Sequence, residues 1–403
     1  MKMLFCSAII LGMKKSLNNL FYWNALSAIV ITSLLPAPAL AQEINTPESD
    51  AGAVVCTPGV YAPDPGECLP LGPSQTLNEM AALGMVYPLE PFPGIHPSDA
   101  LNYVPYQYFK MTEPFTNTYP SLEAAIDKTS AIRQIGPGKL IYITYTRAEE
   151  TQRGVYFHLP SGEWMPGAGT RVSVPIFQGF EFHTTPRNAF GWVLDEAKVR
   201  LYPDFGGENP IMQTLSRYNV VQIYKIMQVE GTEWLLIGPN QWVEGRQVGV
   251  VSPNTTPPAG VSSDRWIDVN LVEQTMAVYD HHHMVYATLI ASGLDPFFTR
   301  PGTFQIYKKK ESEHMTGAFE ADRLDYYDLE DVPYTMYFDK ARAIHGAYWR
   351  AMFGYPQSHG CVNMSVGDSA WLFQWAHEGD WVYVHDPSGA TPTDPAFYGD
   401  GGA

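Results

Sequence analysis

The sequence predicts a mainly β chain built from more than one folded unit. Between about Ser121 and Val251, short runs rich in aromatic and β-branched residues recur between turn signals, among them "KLIYITYT", "GVYFHL", "FGWVL", "VVQIYKIM" and "EWLLIG". The Pro/Gly/Ser/Thr stretch 252–263, "SPNTTPPAGVSS", has no periodicity, and a second strand-rich region starts after it at Arg265-Trp266. At 403 residues the chain exceeds one ordinary domain.

The first 41 residues read as a secretory leader. Lys14 and Lys15 precede the apolar run "ALSAIVITSLL" and the small-residue exit "PAPALA". Cleavage after Ala41 is expected, with Met1 or Met13 as the start. The competing reading is an uncleaved membrane anchor, although Pro36 and Pro38 interrupt the stretch where a spanning helix would continue. The expected location is the periplasm, the cell wall or the extracellular space. Net charge is −17, or about −20 without the leader's three lysines, which argues against nucleic acid and anionic membrane as partners.

In an oxidising compartment Cys56 and Cys68, close together in "VVCTPGVYAPDPGECLP", should pair, which leaves Cys361 alone once Cys6 departs with the leader. Residues 42–120 read as a Pro/Gly-rich tether with this knot and a short helix near "SQTLNEMAALG". Residues 121–188 are expected to form one small β-barrel module and 189–251 another. In the second, a hairpin turn at Glu230-Gly231 is followed by a strand bearing Trp234 and by Trp242. With 252–263 as a linker, residues 264–403 should fold without the modules.

In the last region, "RWIDVNLVEQTMAVYD" places Ile267, Val269 and Leu271 on one face of a strand, and "HHHMVYATLIAS" returns as its partner. The three histidines fall at the turn, where adjacent residues point to opposite faces, so a solvated turn is expected there instead of a metal site. "TRPGTFQIYKK" and "VPYTMYFDKARAIHG" supply further strands. Ser365, with Asp368 three residues on, caps a helix that stops at Gly379, and "DWVYVH" closes the sheet at a domain end near 388, before a tail at 389–403. The stretch 318–331 carries six carboxylates, Glu320, Asp322, Asp325, Asp328, Glu330 and Asp331. It reads as a solvated loop, or as a lid attracting a cationic amine.

Cys361, in "GYPQSHGCVNMS", has no cysteine to pair with, so its reactivity must account for it. A thiol is a useful nucleophile only as thiolate, which requires an imidazole in reach and a local excess of N–H donors. Placed just ahead of a helix N-terminus, it should have a lowered pKa. Two histidines qualify as base. His359 is two residues away, and on an extended segment its Cβ lies roughly 6 to 7 Å from that of Cys361, too far for a straightforward N···S bond. His345 comes from a separate strand and can meet the sulfur head-on; Gly346 beside it leaves room for a carbonyl to accept from the second ring nitrogen. Backbone N–H groups of His359, Gly360 and Cys361 could form an oxyanion hole, with Gly360 supplying the conformation and Ser358 and Asn363 holding the loop. A zinc site from His345, His359 and Cys361 lacks a fourth ligand, and the local signature of papain-like proteases is absent. A wall-binding protein without activity would have no use for this Cys/His set.

The pairing of "IHG" at 344–346 with "SHGCVN" at 358–363, within the framework "WIDVNLVEQTMAVY", "TRPGTFQI", "VPYTMYF" and "DSAWLFQW", resembles the L,D-transpeptidases with the YkuD-type catalytic domain over about residues 264–386. Twelve residues separate His345 from Ser358, as in shorter family members, while Asn363 stands where many of those carry Arg. The resemblance implies a β-sandwich-like domain with a helix after the Cys motif. It implies Cys361 as nucleophile, His345 as general acid/base, His359 as a support for loop or substrate, and Tyr334 beside the substrate. It also implies acyl transfer between peptidoglycan stem peptides, or L,D-carboxypeptidase or protein-anchoring variants of that chemistry, without a cofactor and with carbapenem β-lactams as inhibitors. Residues 190–250 likewise resemble a bacterial Src-homology-3-like domain, which implies a cell-wall polymer as ligand or a spacer role.

Overall fold

The computed structural model describes residues 73–85, 89 and 91–399, except 139, 168, 207 and 319–325. The leader, the Cys56–Cys68 pair and the acidic residues Glu320, Asp322 and Asp325 lie outside the described residues. The fold is mainly β, as the sequence predicts, and the described residues belong to one compact unit. Among them no helix is long and apolar enough to cross a membrane.

Two sheets carry the C-terminal region. One runs in the order Gly302–Gln305, Trp381–His385, Trp266–Asn270, Thr275–Asp280, His283–Leu289 and Phe180–Glu181. The other runs Val362–Met364, Arg342–Gly346, Tyr327–Asp339, Leu140–Tyr145, Gln107–Met111 and Gly169–Arg171, with Lys308–Gly317 also paired to Tyr327–Asp339. Strand alternation turns Ile267, Val269, Val278 and Tyr286 of the first sheet and Met336, Ile344, Val362 and Met364 of the second into one core. Helix Val366–Trp375 adds Leu372 to it. Ser365 caps that helix, its Oγ accepting from the Asp368 N–H at 3.1 Å. The Asp368 carboxylate does not complete a reciprocal box: fully buried, it accepts from Tyr286 Oη at 2.7 Å, from the Gly179 N–H at 2.9 Å and from Thr288 Oγ1. One carboxylate thus ties the helix start to the facing sheet and to an upstream loop.

The upstream organisation departs from expectation. Leu140–Tyr145, assigned to a module at 121–188, instead pairs in parallel with the long strand, Leu140 opposite Tyr327 and Tyr142 opposite Leu329. Gln107–Met111, expected in the tether, pairs with Leu140–Tyr145 in turn. The physical reason is burial: Ile141, Tyr142, Ile143 and Tyr145 are all inaccessible, and a strand buried on both faces needs a wide sheet. The helix expected near residue 75 is present as Pro73–Ala82, and Met85 just after it packs on Trp234 and Trp242.

Residues 189–251 close two small sheets around Val193, Val199, Val221, Leu235 and Val243, with the turn at Glu230-Gly231 in the left-handed region as the hairpin requires. The stretch 252–263 is docked instead of free: the Asn254 N–H donates to Tyr279 Oη at 3.1 Å, and Thr255 O lies 3.3 Å from His282 Nδ1. His281 and His282 form the two-residue turn of the Thr275–Leu289 hairpin, both at positive φ. Residues 327–331 are strand and not loop. Glu330 accepts from the Thr144 N–H at 2.8 Å, Asp331 from Thr144 Oγ1 at 2.8 Å, and Asp328 faces His314 at 2.6 Å, so these acids hold strands together.

Candidate active site

The strands Arg342–Gly346 and Val362–Met364 run parallel, with Ile344 opposite Val362 and His345 opposite Asn363. Ile344 and Val362 point into the core, so alternation turns His345, Asn363 and Cys361, one place before the second strand, to the opposite side. The turn that delivers Cys361 needs a glycine. Gly360 sits at φ +116°, and a Cβ there would also stand 3.2 Å from Arg342 Nε. Ser358 braces the turn from inside, accepting from the Gly360 N–H at 3.1 Å and donating to the Cys361 carbonyl at 2.5 Å. Thr299 Oγ1 holds the Gly360 carbonyl at 2.9 Å. Gly346 is required for packing, since a Cβ on it would meet Ser369 Oγ at 2.5 Å.

Hydrogen bonds set the state of His345. Arg350 Nε donates to Asn363 Oδ1, which turns Asn363 Nδ2 toward His345 Nε2 at 3.0 Å. Nε2 must therefore accept, and the ring proton lies on Nδ1, which donates to the Gly346 carbonyl at 3.2 Å. Burial lowers the His345 pKa to about 4, and burial raises the Cys361 thiol to about 11 against the opposing pull of the Ala343 N–H and of Arg342 and Arg350. Both groups are neutral at pH 7. This corrects the expectation of a thiol lowered by a helix N-terminus: a three-residue strand intervenes before the helix, and Ser365 already caps it.

The cleft over the thiol is lined by the apolar or aromatic Leu140, Met315, Tyr327 and Leu329 and by the polar His345, His359, Arg350 and Asn363. Leu140 comes from the upstream strand, so the site is completed from outside the C-terminal region. His359 stacks on Tyr327, ring centroids 5.9 Å apart, and stands 5.0 Å from Phe297, the position of an aromatic wall. Of the expected oxyanion donors, the Gly360 N–H is engaged by Ser358. Asn363 holds side chains, His345 and Arg350, where a backbone brace was expected. Tyr334 does not line the cleft; it stands against Phe373 of the helix at 5.6 Å. The sequence reading missed Arg350, whose only local signal is its place in "IHGAYWR". A larger cavity of about 550 Å³ opens on the outer face of the other sheet, between Trp266, Tyr383 and Pro257, but no cysteine lines it. Among the described residues no group of His, Cys, Asp and Glu is arranged to hold a metal ion.

Residues 264–384 match the family model of the L,D-transpeptidase catalytic domain, YkuD. This segment is a YkuD-type L,D-transpeptidase domain. Among solved structures, the chain is similar to an L,D-transpeptidase from Stackebrandtia nassauensis, 24% identical over 33% of this chain and 60% of that one, TM-score 0.26. An L,D-transpeptidase variant from Enterococcus faecium is 26% identical over 32% and 54%, TM-score 0.28. The catalytic domain of an E. faecium L,D-transpeptidase, in a structure acylated by ertapenem, is 29% identical over 31% of this chain and 100% of that one, TM-score 0.28. The chain thus spans 54 to 60% of the first two proteins. Comparison with curated proteins gives no match. The matched YkuD segment contains His345, Ser358, His359, Gly360, Cys361 and Asn363, and its boundaries exclude Leu140.

Proposed function

We propose that the chain is an exported peptidoglycan L,D-transpeptidase that works through a thioester on Cys361. The observation that carries this is the shared face of two parallel strands inside the YkuD domain, where Cys361, His345 and Asn363 meet in one cleft. The Cys361 sulfur attacks the carbonyl between the L-centre of the third stem residue and the terminal D-alanine. The thiol proton passes to His345 and then to the departing amine, leaving a thioester and free D-alanine. A side-chain amine of a second stem attacks the thioester, gives up its proton to His345 and restores the thiol, forming a 3-to-3 cross-link.

The neutral resting state defines what substrate must change. Ionising a thiol of pKa about 11 at pH 7 costs about 5 kcal/mol, so the proton leaves during attack instead of beforehand. The vacant ring nitrogen is Nε2, held by Asn363 Nδ2, and accepting the proton requires that amide to yield its contact. Residues 189–251 serve the same reading as a wall-binding module.

The test is full-length protein with a disaccharide tetrapeptide, followed by mass spectrometry. Cross-linked dimer plus D-alanine is expected; tripeptide alone identifies a carboxypeptidase, and unchanged substrate or a fully active Cys361→Ala variant contradicts the reading.

A further inference from the structure

Arg350 is a cation set into the cleft without an acid to match it among the described residues. Among the described residues no ion pair involves it, whereas Arg342, the other guanidinium beside Cys361, pairs at 3.1 Å with Asp339, a carboxylate it shares with Arg300. Burial lowers the Arg350 pKa to about 10, yet it stays charged at neutral pH. His345 and the thiol beside it are both neutral at pH 7. In a chain of net charge −17, this partly desolvated positive centre beside the nucleophile has no counter-ion among the described residues.

The guanidinium is also held rigidly and left partly unused. Nε donates to Asn363 Oδ1, Nη1 to Gln357 Oε1 at 3.1 Å and Nη2 to the Gln357 carbonyl at 2.5 Å. An arginine has five N–H donors, so one remains on each terminal nitrogen, able to donate to a carboxylate oxygen. The group lines the same cleft as Cys361 and His345.

We propose that Arg350 is the carboxylate-binding residue of the site, receiving the C-terminal carboxylate on the leaving-group side of the bond that Cys361 attacks. This rests on the acyl-transfer reading and assigns to one residue the recognition of the free acid with which that donor ends. A terminal carboxylate lies one peptide unit, about 4 Å, beyond the scissile carbon, and Arg350 lines the same cleft as the sulfur that attacks that carbon. Recognition by a half-buried cation that has no ion pair among the described residues also predicts discrimination, since an amide at that place leaves the charge unanswered.

The test uses the intact wild-type chain and needs no turnover. Cys361 is alkylated with iodoacetamide, and its labelling is followed by peptide mass spectrometry in the presence of N-acetyl-D-alanine or N-acetyl-D-alaninamide. The acid should protect in a saturable way, at concentrations at least tenfold lower than the amide. Equal protection, or none by either, overturns the proposal. In Arg350→Gln the acid and amide should become equivalent, while Arg350→Lys should keep part of the preference; a preference retained in Arg350→Gln again overturns it. Selective protection by the acid without turnover of any tetrapeptide would sustain the carboxylate site and refute the transpeptidase reading.

Discussion

Replacing His345 by Gln removes the base while keeping much of the volume and an amide that can still face Asn363. The thiol at about 11 is ionised in roughly one molecule in 10⁴ at pH 7 and one in 10 at pH 10. In the wild type the neutral imidazole, with its pKa near 4, is available throughout, so the acylation rate should be flat from about pH 5 to pH 9 and fall below pH 4. His345→Gln should react about 10² to 10⁴ times more slowly at pH 7 and then gain tenfold per pH unit, recovering roughly 10³ by pH 10. Stopped-flow loss of carbapenem absorbance measures both profiles. A wild-type rate that climbs with unit slope through pH 7 would show that His345 does no proton transfer. The same profile in His359→Gln, with His345→Gln unaffected, would move the base to the aromatic wall.

The same two groups should each contribute to the pH dependence of stability. The His345 pKa is depressed from 6.5 to about 4, so the unfolded chain binds the extra proton in that window, and about 3 kcal/mol of stability present above pH 6.5 is lost as pH falls to 4. The Cys361 pKa is raised from 9.0 to about 11, so its contribution is whole below pH 9 and is lost as pH rises to 11. The difference in urea midpoint between the wild type and His345→Gln should therefore change between pH 6.5 and 4, and that between the wild type and Cys361→Ala between pH 9 and 11; differences independent of pH would contradict the burial of these groups. Asp368→Ala orphans three buried donors, on Tyr286, Thr288 and Gly179, and at about 1 to 3 kcal/mol each should lower unfolding free energy by at least about 3 kcal/mol; a loss under 1 would be inconsistent. A fragment of residues 264–403 leaves the Tyr327–Leu329 edge and the apolar cleft wall uncovered and should aggregate in size-exclusion chromatography, whereas 91–403 should be monodisperse. A soluble, acylatable short fragment would show the upstream strands to be dispensable.

The meeting of Cys361 and His345 in one cleft was legible because its signals are local or nearly so. "SHGC" requires a glycine-bearing turn wherever it occurs, and Ser358, Gly360 and Ser365 do in the structure what their chemistry allows within a few residues. The pKa of Cys361 was not legible, because burial is a property of the whole sheet and outweighs any nearby dipole. Arg350 escaped for a related reason: its partners Asn363 and Gln357 are brought to it by the return of the chain after Gly346, which has no period to read. The upstream strands show the same limit. "KLIYITYT" announces a strand, but its partner lies far along the chain and nothing in the segment names it. Composition misled at 252–263, where a Pro-rich stretch with the look of a free linker packs on Tyr279, and at 327–331, where carboxylates typical of a loop pin Thr144.

The central claim is that Cys361 alone forms the covalent intermediate. Intact-mass spectrometry of the full chain after exposure to a carbapenem, with peptide mapping, tests it directly. The account predicts one acyl adduct, located on Cys361 and absent from Cys361→Ala; an adduct that survives that substitution, or no adduct on the wild type, would contradict it.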